Sequence, residues 1–586
     1  MDEVEAKFDV WDYVVLIIML MISSSIGVYY RFTGGRQKTT QEYLLADRSM
    51  SITPVAFSLM ASFMSAITLL GVSSENYTYG TQFVVINIAY ILSTPIAAYL
   101  YLPVFFKLET TSAYEYLERR FGMASRLSAS AIYSIQMILY MGIVLYAPAL
   151  ALEALTGIKK EIAILVIGFV CTFYSTLGGM KAVVITDVFQ SFLMFLAIFS
   201  IIICAAIQTG GLDEIWKIAD KGGRIEFFNF SPDPTERHTW FSLIIGGSVT
   251  YLSLYAVNQT QVQRYMTVKD LKTAQKTLWL NWPILTVLSL STSFSGLAIY
   301  SKYYDCDPKT AGRITSTDQL MPFYVVESMG HIPGLTGLFV AGIFSASLSS
   351  ISASVNSLAA VTLEDYIKPL YSSINKKSLP NSKIIIYTKI LAFLYGVLCV
   401  AVAFLAQFLG GLLQAALTLF GLGGGPLLGL FTLGMFCTRS NQKGALSGLY
   451  IGLIISGWIA FGRPRPMPPT LPVSVEGCNS TTHILPGYVS SLTASRDDSQ
   501  YFYLYRLSYL WVCVIGFLLT FIIGYVVSLL TGSNTEKLNP DLFVPPLANK
   551  LRRSLRRYSV SSQTSTSEIN KKSDGNVIKN DFTTNL

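Results

Sequence analysis

Apolar residues run along this chain in thirteen long blocks. They lie at roughly 11–30, 54–72, 82–105, 128–155, 161–177, 183–207, 240–257, 277–301, 336–360, 384–406, 412–436, 444–461 and 507–531. A helix needs about 20 mostly apolar residues to cross a bilayer, and each block is about that long. Within a block the apolar residues are continuous rather than alternating, which excludes a membrane β-barrel. The pattern therefore predicts an all-α polytopic membrane protein with about thirteen transmembrane helices.

An odd number of spans puts the two termini on opposite sides. Lysine and arginine collect on cytoplasmic loops. One set of loops carries Arg31, Arg36, Lys38 and Arg48, then Lys107, Arg119, Arg120 and Arg126. Later members of the set carry Arg264, Lys269, Lys272 and Lys276, then Lys368, Lys376, Lys377 and Lys383. This predicts an extracellular N-terminus and a cytoplasmic C-terminus in a multi-pass plasma-membrane protein. The long loops near 208–239, 302–335 and 462–506 then lie outside. One of them holds the glycosylation sequon at Asn479, and Cys306 and Cys478 are the two external cysteines, either bridged or free.

Composition agrees. Of the 586 residues, 52% are hydrophobic and 13% charged, against about 25% charged in soluble domains. The net charge of +8 sits largely in short loops and the tail, so it does not point to nucleic acid. The seven cysteines form no CxxC pair, and the three histidines lie outside the apolar blocks, so neither a metal cluster nor a catalytic triad can be built. The glycine run at 421–425 lacks the Lys-Ser/Thr of a phosphate loop. Neither an enzyme nor ATP drive is expected.

Polar groups inside a membrane are costly and mark function. Two spans stand out, PVAFSLMASFMSAITLLG (54–71) and GLFVAGIFSASLSSISASVNSLAAVTLED (337–365), both rich in Ser, Ala and Gly. Such residues let helices pack closely. They also suit Na⁺, a hard ion that takes hydroxyl and carbonyl oxygens where a helix unwinds. Ala346, Ser349 and Ser350 are spaced i, i+3, i+4 and share one helix face. Asp187, at the start of the sixth span, is either an interfacial acid or a coupling or gating residue.

The chain resembles the sodium/solute symporter family over about residues 8–532. The resemblance rests on SLMASFMSAITLLGVSSE (58–75), YAPALAL (146–152), CTFYSTLGGMKAVVITDVFQ (171–190), NQTQVQRY (258–265), DCDP (305–308), AAVTLED (359–365) and FGLGGGPLLGLF (420–431). Within the family it looks most like the branch of monocarboxylate, multivitamin and iodide carriers. The resemblance implies an inverted five-helix repeat of the LeuT-like kind at 54–436. Residues 1–53 and 437–531 then add helices at either end. Outside the resemblance, 532–586 is polar and rich in Ser and Thr and reads as a disordered cytoplasmic tail. The resemblance also implies a Na⁺ site made by the carbonyls of Ala61, Met64 and Ala346 and the hydroxyls of Ser349 and Ser350. By position, Phe63, Thr68, Tyr90, Tyr146, Tyr251, Gln414 and Thr418 line the substrate pocket.

The function implied is Na⁺-coupled import of small organic anions such as monocarboxylates by alternating access. Other readings on the same scaffold are uptake of a vitamin such as biotin or pantothenate, or of an inorganic anion. A channel or a sensor without coupled transport is a further one. Thr68 stands where the iodide carrier has glutamine, which argues against iodide. The tail adds a basic run at 551–560 that suits anionic lipid, a basophilic kinase site at Ser559, and Thr584-Asn585-Leu586, which fits a PDZ ligand.

Overall fold

The computed structural model describes residues 8–33, 39–407, 411–478, 500–532 and 538–555. Helix α1 (Val10–Phe32) starts at Asp9, whose carboxylate accepts from Val10 N–H at 2.7 Å and caps the first turn. Asp12 answers from inside the helix, and its other oxygen accepts from Gly337 N–H at 2.7 Å.

The second apolar block is not one helix. It is α2 (Ile52–Ala61) and α3 (Ala66–Tyr79), bent by 61° about residues 62–65. Ser65 restarts the chain as an N-cap, its hydroxyl accepting from Ile67 N–H at 3.2 Å. Next come α4 (Thr81–Leu108), α5 (Met123–Thr156) and α6 (Lys160–Thr209). Helix α6 carries two of the expected spans, separated by a kink at Gly179 with φ 62° and ψ −176°. That conformation is open almost only to glycine.

A second break follows. Helix α7 (Ser242–Tyr255) stops short of a full span. Asn258 then caps α8 (Gln259–Tyr265), its side chain accepting from Thr260 N–H at 2.9 Å. The hydropathy pattern reads 240–257 as a complete crossing; the structure shows instead a half-helix continued by a polar one. The remaining long helices are α9 (Leu271–Tyr303), α10 (Leu335–Asn375), α11 (Asn381–Ala406), α12 (Leu412–Phe436), α13 (Gln442–Phe461) and α14 (Tyr509–Leu530). Among the described residues ten helices are long and apolar enough to cross a membrane, and the bent α2/α3 pair makes eleven. The other two expected spans are the first arm of α6 and the short α7.

The core is two five-span halves, each opened by its broken helix. One is α2/α3, α4, α5 and the two arms of α6; the other is α7/α8, α9, α10, α11 and α12. Five crossings end on the opposite side from where they began, so the second half runs inverted to the first. Helix α10 lies at the centre, with 94% of its most apolar stretch buried against 22% for α1. It can approach α6 because Gly342 has no side chain: a Cβ there would sit 2.3 Å from Ala197 Cβ.

Cys306 and Cys478, 172 residues apart, form a disulfide that joins two loops. Part of the segment expected to be a disordered tail is folded. Phe543 is fully buried beneath the Arg120 guanidinium, 5.1 Å from its ring, and Val544 N–H donates to the Met435 carbonyl at 3.2 Å. Arg552, in the basic run, pairs with Asp541. The apolar Leu542-Phe543-Val544 triplet is what anchors this segment on the end of α12. Asn479, Ser559 and Thr584 to Leu586 lie outside the described residues.

Candidate functional site

The break after α2 exposes main-chain oxygens at the centre of the fold. Met64 N–H returns to the Met60 carbonyl at 3.0 Å and Ser65 N–H to that of Phe63 at 3.0 Å. The Ala61 carbonyl is thereby left out of the helical ladder. It accepts from Ser350 Oγ of α10 at 3.3 Å. Ala346, Ser349 and Ser350 are all fully buried on α10, and Ala61 and Met64 sit at the broken end of α2. These five supply carbonyl and hydroxyl oxygens without a permanent charge among them.

The charge comes from α6. Asp187 is fully buried, not interfacial. Its Oδ1 accepts from Ser349 Oγ at 2.7 Å, and its Oδ2 from Ser58 Oγ at 2.5 Å and Arg264 Nη2 at 3.3 Å. Arg264, on α8, is equally buried and also donates to Ser58 Oγ at 2.8 Å and to the Thr260 carbonyl at 2.9 Å. An ion pair in such a dry place persists only when its remaining hydrogen-bonding positions are filled. Gln261 and Gln263 of the same half-helix donate to the carbonyls of Leu59 and Leu44 at 2.9 and 3.0 Å. Sequence reasoning missed Ser58 and Arg264. The signal was present: a polar run, Asn258 to Arg264, adjoining an apolar block.

Beside this network lies a cavity of about 90 Å³. Ser65, Ile67 and Thr68 bring the amino end of α3 to it. Tyr251 stacks on Tyr255 at 4.4 Å and lies 5.4 Å from Tyr90; Phe420 packs on Tyr140 at 4.6 Å and Phe63 at 5.6 Å. Hydroxyls of Ser65, Thr68, Thr250 and Ser289 are scattered among apolar groups, and the lining residues include none that is charged.

Of the seven residues expected at the pocket, Phe63, Thr68, Tyr90 and Tyr251 line this cavity. Tyr146, Gln414 and Thr418 do not. Helix geometry explains all three. On α12 the cavity face is Leu413, Ala416, Leu417 and Phe420, so Gln414 and Thr418 sit one step round the helix. Thr418 faces a separate lateral cavity near Val402 and Phe461. On α5 the lining residue is Tyr140, and Tyr146, six positions on, is turned about 120° away at 3.6 residues per turn.

Gln414 belongs to an outer cluster. Arg237 grips Glu75 of α3 with both arms, Nε to Oε1 at 2.5 Å and Nη2 to Oε2 at 3.0 Å, and its Nη1 donates to Gln414 Oε1 at 3.0 Å. Its guanidinium lies 4.2 Å from the Tyr79 ring and 5.0 Å from that of Tyr509. His238 is buried beside it, Nε2 3.0 Å from Tyr509 Oη and 3.3 Å from Glu75 Oε1. Burial first, and then the Arg237 charge, hold the imidazole pKa well below its ordinary 6.5, so the ring is neutral.

Two inverted halves, each opened by a broken helix, surround a small cavity. Bare carbonyls, hydroxyls and one buried carboxylate adjoin it. This is the architecture of a cation-coupled secondary transporter. The profile of the sodium:solute symporter family matches residues 43–452, and the chain belongs to that family. The chain is 56% identical, over 94% of its length and 93% of the relative's, to a Drosophila melanogaster protein provisionally named a sodium-dependent multivitamin transporter. It is 45% identical to the human sodium-coupled monocarboxylate transporter 1, over 91% of this chain and 89% of that one. Among solved structures, a Na⁺-coupled sialic acid symporter in a substrate-bound outward-open state matches with a TM-score of 0.74. It is 26% identical, covering 90% of this chain and 100% of that one. The protein is thus a multi-pass membrane symporter of a small solute, and its coupling ion is Na⁺.

Proposed function

We propose that this symporter imports small organic anions, monocarboxylates foremost, across the plasma membrane by alternating access. The observation that carries the reading is the central cavity: small, mostly apolar, dotted with hydroxyls, and lined by no cationic side chain. A carboxylate there is met by the amino end of α3, where the helix dipole favours negative charge. It is also met by Na⁺ held at Ala61, Met64, Ala346, Ser349 and Ser350, with Asp187 behind Ser349 as the coupling or gating acid. An anion bound without Lys or Arg contact can leave again once Na⁺ has left.

Na⁺ entering from outside ties α2 to α10, the substrate fills the cavity, and the outer side closes before the inner one opens. A membrane potential of ~60 mV contributes about 1.4 kcal/mol per charge. A tenfold Na⁺ gradient adds about the same. One Na⁺ therefore supports up to roughly hundredfold accumulation, less the opposing charge of the substrate.

Uptake of labelled lactate, butyrate, nicotinate, biotin and iodide in expressing cells, with Na⁺ and with choline in its place, tests this. Concentrative, Na⁺-dependent lactate and butyrate uptake is expected. Selective biotin uptake favours the vitamin reading, to which the multivitamin-named relative lends support. Flux that only equilibrates, or none, favours a channel or a sensor.

The arginine- and lysine-rich loops support an extracellular N-terminus and a cytoplasmic tail. Loss of a glycan in Asn479→Gln and epitope tags at both ends check that arrangement. For the PDZ ligand ending at Leu586, the check is a pull-down with the last ten residues, compared with the same peptide lengthened by one glycine.

A further inference from the structure

The Glu75–Arg237 pair and its bond to Gln414 join α3 and α12, two helices that line the central cavity. On α3, Thr68 and Val72 line that cavity, and Glu75 is the next residue on the same face. On α12, Gln414 directly follows Leu413, another lining residue. On the other side of the pair a vestibule of about 480 Å³ opens, walled by Tyr79, Arg237, His238, Gln414, Arg465 and Tyr509. Arg237 therefore belongs to the vestibule lining while its bonds run to the two helices that cover the cavity.

The guanidinium is already arranged for a carboxylate. Its planar fork matches two carboxylate oxygens at once, and two aromatic rings hold its plane. In the structure the carboxylate in the fork is that of Glu75. When the fork is taken, Glu75 keeps one polar neighbour, the neutral His238, whose Nε2 lies 3.3 Å from its Oε1. Arg465, held by the carbonyls of Tyr505 and Ile459, and Arg506 add cations to the vestibule wall, which also carries the acids Glu226 and Glu236.

We infer that Arg237 is a capture site for the carboxylate of the incoming anion, which displaces Glu75 from the guanidinium and so releases α3 and α12 over the cavity. The site selects for a carboxylate before the substrate reaches the central cavity, whose own lining carries no cation. This inference rests on the carboxylate reading of the substrate.

The test is Na⁺-dependent propionate uptake by the full-length protein in cells, corrected for surface amount, in wild type, Glu75→Gln, Arg237→Lys and Arg237→Gln. Glu75→Gln keeps shape and hydrogen bonding but removes the competing charge; propionate KM should fall by at least about threefold. Arg237→Gln should raise KM about tenfold or more, with Arg237→Lys between because a point charge replaces a fork. The Na⁺ concentration for half activation should stay put. A mere structural latch predicts that loosening either partner moves KM the same way, so shifts of equal sign, or no shift, overturn the capture site. If the arginine variants fail to reach the surface, Glu75→Gln decides alone: an unchanged or raised KM overturns the proposal. No propionate uptake by wild type overturns the carboxylate reading and the capture site together. Normal wild-type uptake without opposite shifts overturns the capture site only.

Discussion

Ser350 shows how much a single hydroxyl can carry. It is fully buried on α10 and reaches across to the Ala61 carbonyl freed by the break in α2. Ser350→Ala removes one neutral oxygen, which should cost about 1–3 kcal/mol of Na⁺ binding, or about tenfold or more in half-activating Na⁺. Uptake measured over a Na⁺ series, normalised to surface protein, checks this; an unchanged curve removes Ser350 from the site. His238 gives a pH dependence whose sign follows from its surroundings: Glu75, Arg237, Tyr79 and Tyr509. Its folded pKa is depressed below the ordinary 6.5, so the unfolded chain binds the proton more readily. The stability it contributes is complete above about pH 6.5 and is lost as pH falls further. The melting temperature of the purified protein should therefore drop between pH 7 and pH 5, and drop less in His238→Gln.

The helices were more legible than their interruptions. Long apolar blocks marked eleven helical crossings directly, because lipid demands that length of helix. The Ser65 cap and the break before it left only a small-residue signal, since Ser and Ala serve equally in close packing. The break before Asn258 was less visible still, because α8 is polar in sequence and buried by the fold. Gly179 is the clearest case of a residue dictated by backbone. With φ 62° and ψ −176° it joins the arms of α6, and an added Cβ would lie 3.0 Å from the Tyr43 ring. Gly179→Ala should cost about 1–3 kcal/mol from backbone strain alone. A lower melting temperature with no change in half-activating Na⁺ is the expected result. Gly178→Ala is the contrasting case: a Cβ there lies 2.6 Å from Ala182 Cβ, a steric rather than a backbone cost.

Across the whole molecule, Asp187 of the first half and Arg264 of the second are joined at one buried point, with α2 and α10 bonded to the same carboxylate. Asp187→Ala leaves Arg264 buried and unpaired, which should cost about 3–5 kcal/mol and lower surface expression. Asp187→Ala with Arg264→Met removes both charges and should recover most of that stability. If Asp187 also couples ion movement, the double variant reaches the surface but its Na⁺ activation stays altered. Normal activation in the double variant assigns the pair to structure alone.

Amphiphilicity is a one-dimensional property, so the chain alone determined a polytopic helical protein, its charge bias and the Ser/Ala-rich face at Ala346, Ser349 and Ser350. Its motifs alone carried the family resemblance. The burial of Asp187, its pairing with Arg264 from 77 positions away, and the turning of Tyr146, Gln414 and Thr418 off the cavity were decided only by tertiary structure. So was the clasp of Arg237 on Glu75, 162 positions apart. A charged residue next to an apolar block reads the same whether it faces headgroups or a partner. Only the packing of one half against the other removes the water and supplies the opposite charge.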